Sequence, residues 1–180
     1  MSIGLDGYTM SGVLHAAFET AGRLNDALEG DAPLRLVSGR LVRLDIGSAQ
    51  DATGMALALD DLCLAVAAPD TAIPGHLAWH DLVLTAGPWH IRGAMPTMPG
   101  FDPGRALARP QGTFVLLRDV KIGLVGQPGA EDTVAYGWVN RYVVDRVEAD
   151  IDLGFFFPGA EGAAKATAPD PAPAFPTPAA

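Results

Sequence analysis

Tyr8-Thr9-Met10-Ser11-Gly12-Val13-Leu14 and Trp89-His90-Ile91-Arg92-Gly93-Ala94-Met95 are the two stretches whose likeness decides how the chain is divided. In both, an aromatic residue is followed two positions on by an apolar one, Met10 or Ile91. One polar residue later comes glycine, then two more apolar residues. Gly12 and Gly93 stand 81 positions apart. Leu36, Arg40 and Leu41 match Leu117, Lys121 and Ile122 at the same offset, and Thr53 with Leu59-Asp60-Asp61-Leu62 matches Thr133 with Val139-Asn140-Arg141-Tyr142 at 80. One offset held over three anchors in one order predicts an internal repeat, which outranks any local reading of the fold.

Composition sets the limits around that repeat. Apolar residues make up 49% of the 180 and charged ones 18%, enough to bury a core. A formal charge of −9, with 12 Lys and Arg against 21 Asp and Glu, is the wrong sign for a chain whose main partner is a phosphate backbone. Arg35, Arg40 and Arg43 are the only cation cluster that could argue otherwise. The single cysteine, Cys63 in Leu62-Cys63-Leu64, can form neither an internal disulfide nor a cysteine metal cage, and reads as a small buried hydrophobe. Met1 to Asp6 lacks a basic segment followed by an apolar one, and no apolar run approaches ~18 residues. The expectation is a cytoplasmic, soluble protein without a membrane segment.

In chain order, residues 1–70 form the first copy. Tyr8 to Leu14 reads as a strand, Glu19 to Glu29 as a short helix with Leu24 and Leu28 on one face and Gly30 as its stop. Leu34 to Val37 and Arg40 to Leu44 are two strands joined tightly or one strand bulged at Gly39. Met55 to Ala67 is apolar, broken by a turn at Asp60-Asp61. Residues 71–75 close a proline-rich linker where the repeat requires a boundary. The second copy, 76–158, opens with a strand over His80 to Thr85 and carries a stiff loop at 95–104, with at most one helical turn around Arg105-Ala106-Leu107. Strands over Thr113–Leu117, Val120–Val125, Thr133–Val139 and Arg141–Val147 follow. Residues 159–180, rich in alanine and proline, read as a disordered tail.

Strand, glycine-containing strand, short helix or loop, strand pair, turn and strand is the order of a five-stranded barrel. On these residues each copy resembles the Sm-like, SH3-like small barrel. The copies are also similar to an uncharacterised bacterial domain patterned aromatic-x-Ile-x-Gly, then Arg-Leu-Ser-Asp-x-Leu-Asn. Here the pattern is Tyr8 to Gly12 with Arg23-Leu24-Asn25-Asp26-Ala27-Leu28, and Trp89 to Gly93 with Arg105-Ala106-Leu107. The resemblance implies a mainly β chain of two tandem degenerate barrels with one short helix in the first copy. It does not extend to RNA binding: Asp60-Asp61 and Asn140-Arg141-Tyr142 stand where Sm-type sites use Arg-Gly or Lys-Gly.

No motif for chemistry survives its spacing. His76 and His80 are four apart, but Pro74-Gly75 and a strand pattern surround them, so helical metal-ligand spacing does not apply. His15 and Glu19 share that spacing and read as surface residues. Asp45-Ile46-Gly47-Ser48 has the wrong order for a nucleotide-binding turn, Ser38 and Ser48 lack a triad setting, and Asp60-Asp61 reads as a turn before an acid and base pair. The chain is therefore expected to be non-enzymatic, with no metal and no cofactor. Trp79, Trp89, Trp138 and Phe155-Phe156-Phe157 all fall in the second copy. They fill the core and the seam between copies, or form an apolar patch for a partner. The expected function is an interaction or assembly module that binds a protein partner through Trp89, His90, Arg92, Trp138, Arg141 and Phe156. The alternative is a small-ligand sensor with a pocket between the copies lined by Trp89, His90, Arg92 and Arg141.

Overall fold

The computed structural model of the chain describes residues 1–30, 32–69, 72–100, 112–127 and 129–163. Eleven strands run β1 Ser2–Thr9, β2 Gly12–Glu19, β3 Leu34–Arg43, β4 Ala49–Asp51, β5 Ala56–Leu57, β6 Leu62–Val66, β7 Ala78–Ala86, β8 Trp89–Thr97, β9 Phe114–Leu124, β10 Glu131–Asn140 and β11 Val144–Ala149. They form one antiparallel sheet in the order β11-β7-β8-β9-β10-β6-β1-β2-β3-β4, with β5 paired to β3. In each half four strands meander and the last returns beside the first: β6 pairs β1, and β11 pairs β7.

The expected barrels do not close. Among the described residues no ladder joins β4 to β6 or β10 to β11. The free side of β6 is taken instead by β10 of the other half, through Trp138↔Ala65 and Val139↔Leu64. With β4 only three exposed residues long, the first half has little to close with. Covered by a strand on each side, β6 buries Leu62, Cys63, Leu64 and Ala65.

The only α-helix among the described residues, α1 over Leu24–Glu29, is shorter than the predicted run but buries the predicted Leu24 and Leu28. The Asp26 carboxylate accepts the Arg23 backbone N–H at 3.0 Å, which satisfies one of the free donors at the helix start. Leu34 to Arg43 is one strand, with a register shift opposite Ala17 and Phe18. A 3-10 turn over Leu59–Asp61 occupies the predicted acidic break.

The first repeat anchor is displaced. Tyr8 ends β1 and Gly12 opens β2, so Tyr8 to Leu14 spans a hairpin turn, whereas Trp89 to Met95 lies inside β8. An alternation of period two is the same on either side of a hairpin, so it cannot locate the turn. The other anchors occupy like places: Leu36 to Leu41 lies in β3 and Leu117 to Ile122 in β9. Asp60-Asp61 precedes β6 as Arg141-Tyr142 precedes β11. Both returning strands carry one extra residue at their second position. Thr9↔Leu62 and Tyr8↔Leu64 leave out Cys63, while Ala86↔Val144 and Thr85↔Arg146 leave out Asp145.

Among the described residues there are two hydrophobic clusters, and each borrows across the seam. The first is built on Leu5, Leu14, Phe18, Leu28, Leu36 and Leu62, and takes in Phe114 with Trp138 packed against it. The second is built on Leu84, Ile91, Met95, Leu117, Val139 and Phe157, and takes in Tyr8, Cys63 and Leu64. Gly159 to Ala163, predicted to belong to the tail, lies on the outer edge of β11. Glu161 accepts from the Val147 N–H and donates to the Asp145 carbonyl, both at 2.8 Å, and Ala163 is buried. The stiff loop expected at 95–104 begins later, since Met95 to Thr97 end β8. Residues 101–104, the turn at Arg105-Ala106-Leu107 and residues 164–180 lie outside the described residues.

Candidate functional site

Alternation along β8 decides which of the predicted site residues can meet a ligand. Trp89 and Ile91 point into the second core, and His90 and Arg92 face the opposite way. Trp89, 3% exposed, is a seam residue: its indole Nε1 donates to the Thr9 carbonyl at 2.7 Å and its ring stands edge-on to Tyr8 at 4.9 Å. Tyr8 in turn donates its hydroxyl to Asp132 at 2.7 Å, and burial, followed by that bond, pushes its phenol pKa above the ordinary value. Trp138 packs on the first core. Arg141 is buried in the turn between β10 and β11, with Nη2 donating to the Phe155 carbonyl at 2.9 Å. Phe156 packs on the second core. The structure brings only His90 and Arg92 together, on a cavity of about 220 Å³ with Thr85, Gln127 and Glu131.

Arg92 also enters a larger space. An open groove of about 700 Å³ crosses β11, β7, β8 and β9 on the face turned away from the second core. Its cations are Arg92, Arg118 and Lys121; its carboxylates are Asp81, Asp119, Glu148 and Asp150. The Arg118 guanidinium lies 4.0 Å over the Trp79 ring, and its buried Nε faces the Asp119 carboxylate at 3.4 Å, an ion pair longer than an ordinary hydrogen bond. Asp119 has φ of 51°, the only positive value at a non-glycine among the described residues. It sits where β9 carries an extra residue against Arg92 to Ala94 of β8. Strain of about 1–3 kcal/mol is retained only where surroundings enforce it, and such residues cluster at binding sites.

Register fixes the electrostatics of the groove. Glu148, Val83, Arg92, Lys121 and Thr133 form one row across β11, β7, β8, β9 and β10. Arg92 and Lys121 are therefore direct cross-strand neighbours of like charge, an arrangement that destabilises a sheet. Among the described residues neither forms an ion pair. In the first half Asp6, His15, Arg40 and Asp51 form the corresponding row across β1, β2, β3 and β4. There each basic residue has a carboxylate beside it, and His15 Nδ1 is 2.9 Å from Asp6. Val83 and Thr133 stand where those carboxylates would be.

The remaining candidates have structural partners. His80 Nε2 meets Thr97 Oγ1 at 2.8 Å. Among the described residues no group of three or more His, Cys, Asp and Glu could hold a metal ion. Burial pushes the Cys63 thiol up to about 12, with Asp145 and Asp61 adding to it, so it holds its proton at neutral pH. A cavity of about 180 Å³ in the first half is lined mainly by apolar residues, including Met10, Leu14, Leu36 and Met55. Arg118, Lys121, Trp79 and Glu148 were not among the predicted site residues; their convergence depends on strand register. Among the described residues no helix is long and apolar enough to cross a membrane. Comparison of the chain with protein-family models, curated proteins and solved structures finds no match.

Proposed function

We propose that the chain is a cytoplasmic, non-enzymatic interaction module. It consists of two fused, divergent copies of a five-stranded Sm-like unit, and its binding face is the groove across β11, β7, β8 and β9. The copies are supported by the shared pairing order, last strand beside the first, and by the extra residue at the same place in both returning strands. Fusing two copies lets one diverge while the other supports it.

The groove carries the functional reading. It is a concavity of about 700 Å³, within the usual range for ligand sites, that concentrates an aromatic-stacked arginine, a strained aspartate and an unneutralised pair of cations on one half. The first half presents charge-balanced residues at the matching positions, which suits a supporting role. The partner contacts the groove through Arg118 and its carboxylate rim, while Trp89, on the opposite face of β8, joins that strand to the first half. The test is capture of partners by the tagged full chain, with Asp81→Lys and Glu148→Lys in the groove and Arg40→Glu on the first half as control. A stoichiometric partner lost with the groove variants and kept by the control supports the module. A partner insensitive to the groove variants refutes the site; no captured protein refutes a protein partner and leaves the groove to a small ligand.

A further inference from the structure

Arg92 and Lys121 stand side by side and, among the described residues, neither is in an ion pair, although four carboxylates line the same groove in a chain whose formal charge is −9. We infer that Arg92 and Lys121 form the seat for the dianionic phosphate of a small phosphomonoester, whose other end carries ammonium or hydroxyl groups that donate to the carboxylate rim. The inference rests on the groove being the binding face and adds the chemistry of its ligand.

The register supplies the first half of the argument. Directly opposed residues on antiparallel strands place their Cβ atoms about 4.5–5.5 Å apart, so the guanidinium and the ammonium rise from neighbouring positions, and both line the groove. A phosphomonoester carries about −1.5 to −2 near neutral pH and offers three acceptor oxygens, which matches two cationic donors. A monocarboxylate would leave one cation uncompensated. Arg118 is held at the same groove by Trp79 and by Asp119, whose carboxylate lies 3.4 Å from its Nε.

The rim supplies the second half. Asp81 and Glu148 face the groove from β7 and β11, on the side away from β9. A polyphosphate or a nucleic-acid backbone laid along the groove would run against them. A compact ester with one phosphate at β8 and β9 and donors pointing toward β7 and β11 satisfies both ends. The row Asp6-His15-Arg40-Asp51 is a built-in control, because Arg40 already has a carboxylate, Asp51, directly opposite.

Phosphoethanolamine, inorganic phosphate and ethanolamine are the probes, titrated calorimetrically into the full chain at low salt. Saturable binding of phosphoethanolamine is expected, weakened at least about tenfold by Arg92→Gln or Lys121→Gln and unchanged by Arg40→Gln. Asp81→Asn should reduce the preference for phosphoethanolamine over inorganic phosphate. Arg92 and Lys121 are exposed, so thermal melting should show the variants folded. Absence of saturable binding, or equal binding by the variants, overturns the inference. Sedimentation with phosphatidic acid vesicles in place of free-ester binding would also overturn it, by moving the phosphate to a lipid surface. A protein partner captured through Asp81 and Glu148 but indifferent to Arg92→Gln and Lys121→Gln would refute the phosphate seat alone and leave the module standing.

Discussion

Replacing Trp89 with phenylalanine tests whether the two halves are one cooperative structure. The indole N–H is the donor to the Thr9 carbonyl across the seam, and Thr9 is 3% exposed, so water cannot take its place. Leaving a buried carbonyl without that donor costs about 1–3 kcal/mol. The void left by the smaller ring adds roughly 1 kcal/mol. The edge-on contact with Tyr8, whose aromatic part contributes about 0.5–1.5 kcal/mol, is partly kept by the phenyl ring. The expected loss is therefore about 2–4 kcal/mol, a fall in Tm of roughly 5–15 °C for a chain of this size. Circular dichroism follows the transition without depending on the removed fluorophore. Wild type should melt in a single step, and the variant in a single step at lower temperature. A double-mutant cycle with Tyr8→Phe, which removes the bond to Asp132, should show non-additivity, since the two rings touch. A Tm unchanged within about 2 °C, or a wild type whose halves melt separately, would refute the reasoning.

The charge rows predict opposite signs for one kind of change: Lys121→Glu should stabilise by about 0.2–1 kcal/mol by pairing Arg92. Arg40→Glu should destabilise, because it removes the cation opposite Asp51 and sets a like charge there; equal signs in urea titrations would sink the row argument. Gly162 has φ of 76° and a Cβ there would lie 2.4 Å from the Val147 carbonyl, so Gly162→Ala should detach the segment from β11 at a cost of about 1–3 kcal/mol. Faster amide exchange at Val147 and Glu161 would report it, and unchanged protection would count against it. Cys63 contributes a pH dependence. Its folded pKa of about 12 exceeds the reference value of 9.0, so between those limits the native state keeps a proton that the unfolded state releases. Stability should then fall with rising pH by up to about 1.4 kcal/mol per unit from this group, with Tyr8 adding its own fall above pH 10. Cys63→Ala should flatten the curve between pH 9 and 10; an identical slope would show the thiol is not the source.

How much of this was legible in the sequence differs from element to element. Leu24 and Leu28 mark the buried face of α1 because four-residue spacing has one meaning on a helix. Leu36, Leu41, Leu117 and Ile122 mark the strands β3 and β9 because each packs inward on a cluster. The turn inside Tyr8 to Leu14 was illegible, since alternation continues through Met10 and Ser11 as if the strand did. Trp89 and Trp138 could be named as seam or surface but not assigned, as composition carries no information on which side of a sheet is covered. Arg92 was visible as an exposed cation. Its meeting with Lys121, 29 residues away, depends on register, and a shift of one residue would have sent Lys121 to the other face. The carboxylates missing at Val83 and Thr133 are recognisable only once Asp6 and Asp51 are known to occupy the matching places.

The pairing of β6 with β10 has a consequence for the order in which the chain is made. Ala65 leaves the ribosome 73 residues ahead of Trp138, its partner, which at roughly 5–20 residues per second is a wait of several seconds. Throughout that interval Leu62-Cys63-Leu64-Ala65-Val66 presents an unpaired apolar edge, and the first cluster lacks Phe114 and Trp138. On a polysome the strand best matched to fill the gap is the β10 of a neighbouring chain. A protein built this way gains from slow initiation, which spaces ribosomes apart, and from chaperones that hold the first half until the second arrives.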